Sequence, residues 1–318
     1  MRWTGLGLCL AVLALVAGLS IAVGAQSLDP ATVWQVLWHP DAGQASSIVH
    51  DLRIPRTLLG LCVGAALGLS GAIMQALTRN PLADPGLLGV NMGASLAVVC
   101  AIMFFGVEDL TVWVWFSMAG ALLAAVAVHL IGADHLVLAG AAISACLLGA
   151  VNAALSLDAG VFDQWRYWDV GALNGRSMEI VVQVAPFVAA GTLLALALGG
   201  GLNALSLGED VGRSLGLRLS RTKILAALAV TLLCGAATAA AGPIGFIGLM
   251  APHAVRAFTG ADHRWVLAFS AVVAPALLLA ADVLGRVIVR PAELESGIVT
   301  AFVGAPIFIY LLRRRRFA

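Results

Sequence analysis

Five long stretches of this chain contain no Asp, Glu, Lys or Arg: residues 85–107, 110–133, 135–157, 180–208 and 224–255. A charge at mid-bilayer costs about 2.5–3.5 kcal/mol on insertion scales. About 20 consecutive apolar residues make a helix long enough to cross the hydrocarbon layer. Gaps of this length are what lipid demands and what a water-soluble core does not need. Composition agrees, with 61% hydrophobic and 11% charged residues, where a soluble domain carries roughly 25% charge. The pattern predicts an all-α polytopic membrane protein, because a membrane β-barrel shows short alternating segments instead.

About ten transmembrane helices are expected, near 5–25, 56–77, 87–107, 112–132, 136–157, 180–204, 223–242, 244–258, 265–285 and 297–312. The eighth is the weakest: it is short, comes just after Gly242-Pro243, and carries Pro252 and His253. The N-terminal run from Gly5 to Ala25 ends in a cleavage-like "VGAQS", but it is longer than a secretory h-region and is read as an uncleaved first helix. With both termini inside, twelve basic residues fall on the inner side and six on the outer. Short cytoplasmic loops are Lys/Arg-rich, and the "RRRR" at 313–316 fixes the C-terminus inside. The whole chain, 1–318, reads as a single transmembrane domain.

Gly60, Gly64 and Gly68 recur every fourth residue on the second span. Such a stripe lets helix backbones approach closely, so this helix is expected at the centre of the bundle; a pore-lining helix that slides is the alternative. Cys9, Cys62, Cys100, Cys146 and Cys234 lie singly inside apolar runs, as small buried hydrophobes do. No metal-spaced cluster, H-E-x-x-H, G-x-S-x-G or phosphate-binding G-x-x-x-x-G-K-[ST] occurs. No enzyme chemistry and no cofactor of its own is expected.

Three polar constellations stand between the spans. In "LSLGEDVGRSLGLRL", 205–219, Ser206 and Glu209 have capping-box spacing, Glu209 and Asp210 suit a helix N-terminus, and Gly216 suits a stop. Ser220 then begins the next helix. A capped element on the inner face is a rigid knob for a partner, although an ordered connector satisfies the same pattern. In "TRNPLADPGLLG", Pro81 and Pro85 block helix continuation and Asp84 caps the next helix. On the outer face, "RIPR" at 53–56, with Arg286 and Arg290, offers guanidinium groups to an acidic partner. Interface anchors or local salt bridges are the alternative, and Asp282 stands at i, i+4 to Arg286.

These residues resemble the permease family of bacterial ABC importers for ferric siderophores, haem and cobalamin. The resemblance rests on "RIPRTLLGLCVGAALGLSGAIMQALTRNPLADPGLLGVNMGAS", "SLGEDVGRSLGL", "GPIGFIGLMAPHAVR" with "GADHR", and "ELESGIVTAFVGAPIF". It implies a type II importer permease of the bacterial inner membrane. It also implies a second permease subunit, two ATPase subunits that bind ATP and Mg, a periplasmic substrate-binding protein and no nucleic-acid partner. The implied cargo is a ferric siderophore, of catecholate type, with haem or cobalamin as alternatives. The resemblance also assigns ATPase coupling to an element at about 205–221, with Ser206, Glu209, Asp210, Arg213, Ser214, Leu215 and Gly216. It assigns binding-protein docking to Arg53, Arg56 and Arg286. Two departures are Glu295-Ser296, where the family often has Pro and an apolar residue, and Gly212, where Ala is usual. An ion-coupled transporter would need ionisable residues at the midplane, and the spans are nearly free of them. A purely structural membrane subunit would not need the knob.

Overall fold

The computed structural model describes residues 2–132, 136–208, 214 and 218–315. Among these every regular element is a helix. Helix α1 is Arg2–Ala22 and α2 is Pro30–Trp38. A short α3, Gln44–Ser47, runs through a π-helical turn, Ile48–Arg53, into α4, Ile54–Leu77. Then come α5 (Val90–Phe105), α6 (Leu110–Gly132), α7 (Leu136–Leu157), α8 (Ala159–Asp169), α9 (Met178–Ala197) and α10 (Gly199–Ser206). The last four are α11 (Leu219–Ala241), α12 (Ile247–Thr259), α13 (His263–Ile288) and α14 (Ser296–Arg315).

Every predicted span falls on a helix, and seven helical runs are long and apolar enough to cross a membrane. The others are shorter: α5 has 16 residues, α12 has 13, and the apolar part of α14 is Ser296–Ile309. The predicted sixth span is two helices, because the chain breaks at Leu198 before Gly199. Arg264 lies against that break, and a Cβ at Gly199 would stand 3.1 Å from Arg264 Cα. Helices α2 and α8, which the span pattern did not predict, lie between spans. Val33 and Val36 of α2 bury against Val49 while Trp34 and Trp38 remain exposed. Asp158 caps α8, accepting from the N–H of Gly160 at 2.8 Å.

Helix α4 is the spine, packed between α13, α11, α12 and α9. The glycine stripe explains the closeness. A Cβ at Gly60 would lie 2.5 Å from Leu279 Cδ2, at Gly64 2.3 Å from Pro275 Cα, and at Gly68 2.4 Å from Ala274 Cβ. The same device recurs between α5 and α6, where a Cβ at Gly93 would lie 2.4 Å from the Gly120 carbonyl oxygen. The predicted turn before α5 also holds: Asp84 accepts from Gly86 N–H at 2.8 Å.

One end of the bundle gathers Arg2, residues 199–208 and 256–264. The other gathers the C-terminus of α1, residues 23–53, 158–178 and 286–296. At this second end the segment after α8 is wedged in by backbone. Ala172 N–H donates to Ala241 O at 2.7 Å, and Gly297 N–H donates to Gly171 O at 2.8 Å. Gly171 has φ 77°, and a Cβ there would lie 2.4 Å from Pro243 O. Only glycine accepts both the positive φ and that contact.

Candidate functional site

The predicted outer arginines converge on one buried cluster built on Asp282, which is fully buried in the last turns of α13. Arg56, in the first turn of α4, donates to Asp282 through Nε at 3.0 Å and Nη2 at 2.8 Å. Arg286 donates through Nε at 3.0 Å and also through Nη2, which makes the predicted i, i+4 pair. Ser296, at the start of α14, donates its hydroxyl to Asp282 at 2.6 Å. The departure at Ser296 therefore completes the cluster by supplying a neutral donor.

The remaining donors close the end of α1. Its last carbonyls have no partner within the helix. Arg286 Nη1 donates to Ser20 O and Val23 O, Arg53 to Ile21 O, Ala22 O and Gln26 O, and Arg290 to Gly24 O. Three cations thus cap the negative end of one helix, where positive charge is favoured.

Arg53, Arg56 and Arg286, the residues expected to dock a binding protein, make the local ion pairs and helix caps that were the alternative. They are 4%, 8% and 1% exposed. Arg53 and Arg286 direct their donors inward, onto the end carbonyls of α1 that lack helical partners, and Arg286 also onto Asp282. Arg56 alone sends a donor outward, from Nη1 to Glu293 at 2.6 Å, on the rim of a cavity of about 490 Å³. Arg53, Arg56, Arg176, Arg286, Asp51 and Glu293 line that cavity.

Sequence reasoning missed the loop 171–177. It separates this cavity from a neighbour of about 510 Å³, and Asn174, Gly175 and Arg176 line both. Asn174 Nδ2 donates to Glu295 Oε1 at 3.3 Å. Burial lowers the Arg176 pKa to about 10, and the charge of Glu295 partly offsets this. The signal was modest: two positive-φ glycines, Gly171 and Gly175, bracket a segment with an unexplained Asn and Arg.

At the opposite end, most of the expected coupling element lies outside the described residues: Glu209, Asp210, Arg213, Leu215 and Gly216. Ser206 is described, and its capping-box partner Glu209 is not. Ser206 ends α10, and its hydroxyl turns back to donate to Asn203 O at 2.7 Å. Helix α11 begins at Leu219, with Arg218 before it, so Ser220 lies inside the helix. The root of the element is fixed to α13 by Asn203, which donates to Asp262 Oδ1 at 2.8 Å and accepts from His263 N–H at 2.7 Å. Asp262 also caps α13 and lies 3.6 Å from Arg2. The Asn203 bond holds the Asp262 pKa below the usual carboxylate value.

Residues 11–314 match the model of the FecCD transport family. The ferric enterobactin transport system permease protein FepD of Escherichia coli (strain K12) is 46% identical over 315 residues, 96% of this chain and 94% of that protein. The hemin transport system permease protein HmuU of Yersinia pestis is 37% identical over 329 residues, 98% and 96% of the two chains. A solved structure described as an inward-facing conformation of a metal-chelate type ABC transporter superposes with a TM-score of 0.88, at 27% identity, over 98% of this chain and 99% of the other. Helical apolar architecture and a match along nearly the whole length lead to one assignment: this chain belongs to the FecCD transport family, as a permease subunit of an ABC transporter.

Proposed function

We propose that the chain is the translocation subunit of a binding-protein-dependent importer that carries a ferric siderophore of catecholate type into the cytoplasm. The observation that carries this reading is the 46% identity to the ferric enterobactin permease along nearly all of both chains. The path needs to be wide and weakly binding, since conduction requires release. Ten crossings, with both termini cytoplasmic, agree with the charge distribution.

A second permease subunit covers α7. That helix is exposed along most of its length, yet it carries Ser144, Asn152 and Gly149 among small residues. Lipid-facing helices favour large apolar side chains, while helix–helix contacts favour small and polar ones. Two ATPase subunits bind ATP and Mg and drive the element at about 205–221. The Asn203–Asp262–His263 bonds tie its root to α13, so movement of the element is transmitted into the bundle. The binding protein docks at the arginine-rich end, where one of its carboxylates replaces Glu293 as the partner of Arg56.

The test is ATP-dependent uptake by proteoliposomes holding the permease, ATPase and binding protein. Iron-55 should enter as a ferric tris-catecholate and not as a ferric hydroxamate. Uptake of haem or cobalamin in its place would overturn the cargo. Gly216→Pro should abolish uptake and leave binding-protein affinity unchanged; persistent uptake would remove the coupling role.

A further inference from the structure

A groove of about 170 Å³ runs between α6 and α11, toward the end of the bundle that carries residues 199–208. Leu122, Val126 and Leu130 form its α6 wall, Ile224 and Leu228 its α11 wall, and all five are exposed. Ala125 and Ala227 also line it and are less exposed. Methyl groups at these two positions leave space that larger side chains would fill. Thr231 lines the groove too, but its hydroxyl is spent on Ala227 O at 2.9 Å. Apart from His129 the lining is otherwise apolar. Along α11 the groove extends from Ile224 to Thr231, about 10 Å at the helical rise per residue.

An apolar groove open to the hydrocarbon layer is filled from that layer. Its lining loses dispersion contacts if nothing occupies it, and the layer holds no water to take that place. The walls indicate which apolar body fits. Large aliphatic side chains suit lipid, whereas helix–helix contacts favour small and polar residues such as those on α7. The groove therefore suits an acyl chain and not another helix. Its α11 wall continues toward the helix start through Arg221, which stands three residues before Ile224 on the same face. Arg221 is exposed and makes no ion pair among the described residues. A cation in the first turn of a membrane-crossing helix sits at the depth of the lipid headgroups, where it attracts anionic lipid.

We infer that this groove binds an anionic glycerophospholipid: one acyl chain lies between α6 and α11, and the phosphate meets Arg221. The site goes beyond the transport reading and does not depend on the cargo. Arg221 closes the 205–221 stretch, so the bound lipid ties the base of that stretch to the membrane face.

The test is native mass spectrometry of the full chain in detergent, titrated with palmitoyl-oleoyl phosphatidylglycerol or with phosphatidylcholine of the same chains. Phosphatidylglycerol should bind about fivefold more tightly, the contribution of one cation at the headgroup. Arg221→Gln should remove most of that preference. Arg264→Gln, which removes another exposed cation at the same end of the bundle, should leave it intact. Ala227→Leu fills the groove and should weaken both lipids by the same factor; Ala125→Leu, from the facing helix, gives the same reading if Ala227→Leu misfolds. Equal affinity of the unaltered chain for the two lipids would overturn the anionic headgroup. A preference lost equally in Arg221→Gln and Arg264→Gln would reduce it to bulk charge and overturn the site. Affinities unmoved by the folded alanine variant would overturn the groove.

Discussion

Helices α4 and α7 are both apolar, both longer than 20 residues, and of nearly equal hydropathy, yet the fold uses them in opposite ways. Along the apolar stretch of α4, 78% of residues are buried; along that of α7, 11% are. Hydropathy alone therefore states that a helix crosses, not where it stands. The difference lies in what the small residues meet. On α4 the glycines receive the backbone and side chains of α13 and α12, while a Cβ at Gly149 on α7 would have nothing within 4 Å. A small residue against a neighbour makes a spine. A small residue against empty space leaves its face of the helix open.

The sharpest way to break this contrast is to add the same side chain to both helices. Gly64→Leu places atoms where Pro275 Cα would be 2.3 Å away. Backbone cannot yield as a flexible side chain does, so the cost should exceed the roughly 1–3 kcal/mol of ordinary overpacking. We expect loss of the folded, monodisperse species in size-exclusion chromatography. Gly149→Leu should leave the purified chain's melting temperature unchanged. Similar behaviour of the two variants would mean that α4 is not the spine.

The next largest effect belongs to the end of the spine. Asp282→Asn removes the carboxylate shared by Arg56 and Arg286 and leaves two guanidinium groups buried beside a neutral amide. Removing one partner of a buried pair costs about 3–5 kcal/mol. Thermal unfolding in detergent should show that loss, and Arg286→Met in the same chain should recover part of it, since a buried cation no longer lacks its partner. No polar substitution on exposed α7, Asn152→Leu included, should approach it.

These two regions also show what a single sequence reveals. The ten helical stretches, the packing stripe on α4, the Asp84 cap and the Asp282–Arg286 pair were legible, because each rests on spacing within one element. The burial of Arg53 and Arg286 was not. Their acceptors are carbonyls of α1, separated from them by 32 and 266 positions, and no local pattern states that a helix end will come to rest there. The break at Leu198 was missed for a related reason. Arg264, which lies against Gly199 there, belongs to α13. The place of loop 171–177 between two cavities is likewise a product of packing, and along the chain it shows only as an unexplained polar loop.

A milder test compares cysteines in the two environments. Cys146 on α7 is exposed and Cys234 on α11 is buried. A lipid-permeant maleimide should label Cys146 in the isolated chain and reach Cys234 only after denaturation. Assembly with a second permease subunit should protect Cys146 and leave Cys234 unchanged. Full labelling of Cys146 in the assembled importer would place α7 against lipid and remove it from the subunit interface.

The smallest effect is a pH dependence at the arginine-rich end, which tests whether the surface helix α8 is held as firmly as the spine. Burial raises the pKa of Asp169, the last residue of α8, to about 6. Its unfolded value is near 3.9. A carboxyl whose folded pKa is raised contributes stability that is complete below the unfolded pKa and is lost as pH rises through the folded one. Stability should therefore fall between about pH 4 and 6 and level off above that. Asp169→Asn stays neutral throughout and should lack this component. The check is the difference in melting temperature between the two proteins at pH 4.5 and pH 7. A constant difference would mean that Asp169 is solvated and that α8 is held less closely than the helices beneath it.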